Sequence, residues 1–465
     1  MQKSPGNRRT RWTTGGAVLD LVVRGRRVIT AYGEVERCVG VGDGQIVAIE
    51  PYDSPLASAL PGDRCVELAQ DEVLLPGLVD THVHINEPGR TEWEGFASAT
   101  RAAALGGITT LIDMPLNCVP PTIDVPALEQ KWEAARGQVY VDVGFWGGAV
   151  PGNLPQLRAL HDAGVFGFKC FLLHSGADEF PPLPPDQLET VLAELAGFGT
   201  QLIVHAEDAQ SIDRAAPPHG ERDAGFLSSR PRGAENLAIA WLVERARWTG
   251  AHVHVLHLSS SDALPMIESA RRDGVRLTVE TCPHYLTFTA EEVPDGATEF
   301  KCCPPIREAV NRELLWAGLA GGVIDAVVSD HSPCPVGLKR RDTGDFGAAW
   351  GGIASLQVGL PAVWSAARPR GHQLADVVGW MADRPARLAG LARKGRIAVG
   401  FDADLCVFAP DQAFVVDAQQ LAHRHPLTPY HGRALSGTVR QTWLRGRRVD
   451  VDVPPRGTLL RRGLA

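Results

Sequence analysis

Residues 74–84 read Leu74-Leu75-Pro76-Gly77-Leu78-Val79-Asp80-Thr81-His82-Val83-His84, an apolar run that ends in two imidazoles one residue apart. Alternate residues of a β-strand share a face, so a strand here projects His82 and His84 to the same side. Two neutral imidazoles on one face make half of a metal site. A polar strand rim is the other reading of an isolated His-x-His pair. The positions of the remaining ligand-type residues discriminate between them.

Seven further apolar segments follow, giving strand candidates at 78–84, 109–114, 140–146, 167–172, 202–205, 252–258, 277–281 and 326–330. Helical segments fill the gaps, among them 96–105, 186–196, 235–247 and 264–272, several of them closed by glycine. Eight strand–helix alternations predict an α/β fold of the (β/α)8 TIM-barrel type. A doubly wound open sheet is the rival, but no Gly-x-Gly-x-x-Gly follows an early strand. Short strands with tight turns flank this region, at 19–50 before it and at 403–408 and 438–449 after it. Neither end alone has enough strand to bury a core, so a small β-sandwich built from both termini is expected. The expected division is a loose basic tail over 1–16, sandwich over 17–75, barrel over 76–394, and sandwich again over 395–465.

The totals narrow the function. The chain has 465 residues, 44% of them hydrophobic and 22% charged, with a formal net charge of −8. That balance suits a globular enzyme and gives no support for nucleic-acid binding. No apolar stretch is long enough to span a bilayer, and the polar start lacks a secretory core. The nine cysteines form no compact framework, which points to buried thiols in a reducing compartment, the cytoplasm.

In such barrels the reacting groups come from the C-terminal ends of the strands. Those ends offer His82 and His84, then Lys169, His205, His257 and Asp330. Each has a structural alternative when taken singly; together they converge on one rim. Lys169 is at first sight the wrong residue, because an ammonium repels a cation. A desolvated lysine can lose its proton and capture carbon dioxide as an anionic carbamate able to bridge two metal ions, and a pair of ions can activate water and polarise a carbonyl. A Schiff-base lysine is the competing role, but it has no need of four histidines.

These residues in this order resemble the cyclic amidohydrolases over about 19–449. The resemblance implies a distorted (β/α)8 barrel joined to a β-sandwich. It also implies a binuclear centre of His82, His84, Lys169, His205, His257 and Asp330, commonly zinc, with manganese, cobalt or iron as other options. Within the family the chain is most similar to the allantoinases. That likeness rests on Glu87-Pro88-Gly89-Arg90, Trp93-Glu94-Gly95, Asp113-Met114-Pro115-Leu116-Asn117, Lys169-Cys170-Phe171-Leu172, residues 175–181, Cys282-Pro283-His284-Tyr285, Pro304-Pro305-Ile306-Arg307 and Ser329-Asp330-His331-Ser332-Pro333-Cys334. It implies hydrolytic opening of the hydantoin ring of allantoin to allantoate, in purine breakdown, by a homotetramer. Asp330 would shuttle the proton, and Asn117, Cys303 and Ser332 would hold the substrate.

Relatives differ at readable positions. Dihydroorotases usually carry Arg where this chain has Asn86, and hydantoinases carry Tyr where it has His174. Some family members have Ser in place of Cys303. A broad-range hydantoinase or dihydropyrimidinase is the enzyme alternative, and a scaffold relative stripped of its ligands is the non-catalytic one. The loop around 171–184 is expected to cover the site. Trp93 and Trp350 are candidates to line it, and Trp241, Trp248, Trp316 and Trp380 are expected to pack against the barrel. His252 and His254 are read as structural or rim residues, and the arginines of 445–448 as a solvated hairpin.

Overall fold

The computed structural model describes residues 13–14, 17–58 and 60–464. The tail expected over 1–16 therefore lies outside the described residues except at Thr13–Thr14, which pair antiparallel with Ala17–Val18.

The centre of the chain is a TIM-barrel-like run of parallel strands alternating with helices. Leu78–Val83, Ile108–Asp113 and Asp142–Phe145 form one parallel group. The third stretch resumes at Gly147–Gly148 and opens a six-stranded sheet through Phe168–Phe171, Gln201–His205, His252–Val255, Leu277–Thr281 and Ala326–Val327. A parallel bridge from Val83 to His331, with His84 N–H donating to the His331 carbonyl at 2.8 Å, ties the last segment to the first. Every residue of the first three of these strands is buried, the pattern of strands covered on both faces. Helices Phe96–Leu105 and Leu264–Arg272 fall where the sequence puts them. Helix Arg232–Thr249 ends at Gly250, whose φ of 70° suits the left-handed cap.

Both termini contribute to one eight-stranded sheet. Its order is Arg447–Arg448, Ala434–Leu444, Leu405–Val415, Val73–Pro76, Leu21–Thr30, Gly33–Gly42 and Gln45–Pro51, with Cys65–Glu67 beside Leu21–Thr30. Leu21, Val23, Val39, Ile46 and Leu74 share a cluster with Ile397, Leu405 and Val407, so neither end completes this core alone. Chain passes from sheet to barrel at Pro76-Gly77. A Cβ on Gly77 would stand 2.1 Å from Thr109 Oγ1, so only glycine lets the two strands approach. Lys394 Nζ clamps the two regions, at 2.7 Å from Asp142 in the third barrel strand and 2.7 Å from Asp404 beside the sheet.

Several local expectations need correction. The strand expected over 140–146 is shorter and breaks at Trp146, whose indole donates inward to the Thr81 carbonyl. The strands expected to reach Leu258 and Asp330 stop at Val255 and Val327. Trp316 and Trp380 are buried as expected, but Trp241 and Trp248 are 44% and 66% exposed, on the outer face of their helix. Arg447 and Arg448 are exposed, whereas Arg445 turns inward to Asp142. Among the described residues no helix is long and apolar enough to cross a membrane.

Candidate functional site

The C-terminal mouth of the parallel strands holds a cavity of about 250 Å³. His84, Lys169, His205, His257 and Asp330 line it, together with Asn117, Cys303 and Ser332. His82 lies beneath, fully buried. His82, His257 and Asp330 each offer a ligand atom within 4.8 Å of the others. Asp330 Oδ1 is 3.1 Å from His82 Nε2 and 3.6 Å from His84 Nε2. The His205 ring meets the His257 ring edge-on at 4.6 Å and stacks on Phe171 at 4.6 Å, and Lys169 Nζ lies 4.9 Å from the same Phe171 ring.

Local backbone explains how two of these groups reach the mouth. His257 and Asp330 lie beyond their strands with φ of 35° and 43°. Positive φ is uncommon for residues with a Cβ and is found where structure over-determines a functional position. It turns each side chain out of the strand direction and into the cavity. Asn117, at φ 65°, approaches His84 Nδ1 with its amide at 3.3 Å.

Burial and mutual charge set the protonation of each group in the cluster. Burial lowers His82, but Asp330 and Glu280 outweigh it and carry its pKa up to about 9. Burial raises the Asp330 carboxyl, yet His82, His257 and His84 hold it well below the usual range, ionised. Burial lowers Lys169 to about 8 against the pull of Asp330 and Glu280, bringing the free amine within reach of neutral pH. His84 and His257 are driven well below their usual value, by burial first and then by Lys169 and His205 respectively, so both are neutral and able to ligate.

A metal fits this donor set. His82 Nε2 and His257 Nδ1 are buried without a hydrogen-bond partner. The short approach of His82 Nε2 to Asp330 is thus a convergence of two ligand atoms, each of a kind that takes zinc, manganese or iron. The far side of two of the candidate ligands, His82 and His205, is braced. His82 Nδ1 meets Glu280 Oε1 at 2.5 Å, and His205 Nε2 donates to Glu207 Oε2 at 2.7 Å, itself paired with Arg230. Such outer carboxylates fix ring orientation and tautomer. Burial raises Glu207, but Arg230 and His205 bring it down to about 2.

Sequence reasoning missed Glu280, Glu207 and Arg230. Glu280 carried a legible signal, a carboxylate inside the apolar strand Leu277–Thr281. Glu207 and Arg230 lie 23 residues apart and meet only in the fold. Trp350 lines the cavity as expected, while Trp93 packs edge-on behind it at 5.1 Å. Phe171, His174, Ser175 and Gly176 of the covering loop form part of the wall.

The amidohydrolase family matches residues 73–449. The allantoinase of Streptomyces avermitilis is 58% identical over 447 residues, 96% of this chain and 99% of that protein. That of Saccharomyces cerevisiae is 48% identical over 379 residues, 80% of this chain and 82% of its own length. Among solved structures, the L-hydantoinase (dihydropyrimidinase) from Arthrobacter aurescens aligns with a TM-score of 0.86 at 32% identity, covering 96% of this chain and 98% of that one. Family and neighbour both imply a binuclear metal centre, with which the converging histidines and Asp330 agree. With a family match over most of its length and near-complete relatives on either side, the chain belongs to the amidohydrolase family, among its allantoinases.

Proposed function

We propose that this cavity hydrolyses a ring amide of allantoin, opening the hydantoin ring to allantoate. The observation that carries this reading is the meeting of His82, His257 and Asp330 within 4.8 Å at the floor of a cavity walled by Asn117, Cys303 and Ser332. The allantoinase named for the 58% identical relative supports the choice of substrate. We assign His82, His84, Lys169, His205, His257 and Asp330 as metal ligands, zinc first among the candidates. Two such ions, when bound, supply an activated water and a polarised carbonyl.

The chain's own groups do the rest. Lys169 Nζ, brought down to about 8 by burial, adds as its free amine to carbon dioxide and loses a proton, giving a carbamate whose two oxygens would complete the ligand set. Asp330 directs Oδ1 at His82 and His84, leaving Oδ2 to take a proton from the attacking water. It returns that proton to the departing ring nitrogen. The Asn117 amide, the Ser332 hydroxyl and the backbone at Cys303 hold the ring amides and the ureido arm. The loop through His174 shields the reaction from bulk water.

Residues 17–75 with 395–465 are read as one β-sandwich and 76–394 as the catalytic barrel, supported by the sheet and core shared between the two ends. A cytoplasmic homotetramer completes the reading. Free thiols at Cys38, Cys118, Cys170, Cys282 and Cys406 agree with a reducing compartment, and light scattering tests the tetramer.

A broad-range hydantoinase is the second reading, favoured by the 0.86 TM-score. His174 argues against it, since its side chain is 60% exposed and hydrogen-bonded to Asp178, with no phenol to offer. Hydrolysis of allantoin, hydantoin and dihydrouracil by the purified zinc-loaded protein separates the two. Turnover of allantoin above both others is expected; brisk turnover of dihydrouracil with none of allantoin rejects the assignment. A scaffold role would require absence of bound metal after growth in zinc, manganese or cobalt, checked by elemental analysis.

A further inference from the structure

We propose that Glu280 is a positioning residue for the metal centre, and that it is itself held by a hydrogen-bonded chain running down the inside of the barrel through His254 and Thr278 to His252. The proposal rests on the metal-centre reading above and deepens it.

The contacts are continuous. His82 Nδ1 meets Glu280 Oε1 at 2.5 Å. Glu280 Oε2 meets His254 Nε2 at 3.0 Å. His254 Nδ1 meets Thr278 Oγ1 at 2.9 Å, and Thr278 Oγ1 meets His252 Nε2 at 3.0 Å. The chain spans from the candidate ligands to a second cavity at the opposite end of the strands, lined by His252, Gln201, Asp325 and Arg384.

With the rings neutral, as a His82 that ligates a metal must be, one assignment of protons gives each of these four contacts a donor and an acceptor. A carboxylate only accepts, so His82 carries its proton on Nδ1 and presents the lone pair of Nε2 to the metal position. His254 likewise donates from Nε2 to Glu280, its Nδ1 accepts the Thr278 hydroxyl, and Thr278 oxygen accepts from His252. The chain therefore has a single direction, since with neutral rings reversing any link leaves an acceptor facing an acceptor. Glu280 touches the second ligand too, since the His257 N–H donates to Oε1 at 3.3 Å. One carboxylate thus fixes the ring of His82 and the backbone of His257, the residue held at positive φ.

The test uses full-length protein, stripped and reloaded with zinc, with the zinc Kd read by competition against a chelating dye and the ligand field read from the visible spectrum of the cobalt form. Glu280→Gln should weaken zinc about 10- to 100-fold and alter the cobalt bands, while circular dichroism of the metal-free protein is unchanged. Thr278→Val should weaken zinc by a smaller factor, and Thr278→Ser, which keeps the hydroxyl, should restore the wild-type Kd. Wild-type zinc affinity and cobalt spectrum in Glu280→Gln overturn the proposal while leaving the metal centre intact. Failure of the wild-type protein to bind zinc or cobalt overturns both. Should Glu280→Gln not fold, the Thr278 pair decides, equal affinity in Thr278→Val and Thr278→Ser counting against the chain.

Discussion

Lys131 Nζ lies 2.5 Å from Asp113 Oδ2, with both side chains buried at 1% exposure. Lys131 also donates to the Met114 carbonyl at 2.8 Å, and Asp113 Oδ1 accepts the Ile85 N–H at 2.8 Å. Helix Val125–Ala135 thereby reaches under the cavity and pins the residue that follows His84. Lys131→Met leaves a buried carboxylate without its counter-charge, and should cost about 3–5 kcal/mol of stability in urea unfolding. Adding Asp113→Asn should recover part of that loss. A single variant as stable as the parent would remove the pair from the supports of the site.

Asp330→Asn preserves the shape and one ligand oxygen but not the base. It should retain much of the bound zinc and lose about 100-fold or more in kcat. Elemental analysis and steady-state kinetics on the same preparation check both halves, and wild-type turnover would dismiss the proton-transfer role.

Lys169→Ala removes the amine that would capture carbon dioxide. Metal content and activity should fall together, and a short carboxylic acid supplied in the buffer should restore a fraction of each. Full metal retention would count against a bridging role for this side chain.

Asp223 supplies a pH test away from the mouth. Burial lifts its carboxyl from 3.8 to about 6, and its Oδ2 has no hydrogen-bond partner. A folded-state value above the unfolded one means that ionisation opposes folding: the cost is absent below the unfolded value, grows as pH rises, and is complete above about 6, reaching about 3 kcal/mol at most. Asp223→Asn should therefore raise Tm at about pH 8 and leave it unchanged at about pH 4. An equal gain at both would point to a cause other than ionisation.

Much of this architecture was readable from residue order. Leu277–Thr281 and helices Phe96–Leu105 and Leu264–Arg272 stand where apolar periodicity and their closing residues put them. His82, Lys169 and His205 were visible because imidazoles or an ammonium inside a buried strand conflict with their surroundings unless something balances them. What could not be read belongs to tertiary geometry. The positive φ of His257 and Asp330 is imposed by packing around them, not by local propensity. Trp241 and Trp248 sit on a helix as expected, but helical spacing alone did not reveal which face the barrel covers. Glu280 lies one residue before the end of its strand, outside the terminal positions from which reacting groups are expected.

Strand Val73–Pro76 lies between Leu21–Thr30 on one side and Leu405–Val415 on the other. During synthesis the first of these neighbours emerges early and the second more than three hundred residues later. At about 5–20 residues per second, the amino-terminal strands wait tens of seconds with an unmated edge, while the central helices and strands between them are still being made. Completion of this sheet is therefore a late event in synthesis, and a messenger truncated before codon 405 would release a chain whose strand Val73–Pro76 keeps one neighbour and lacks the other.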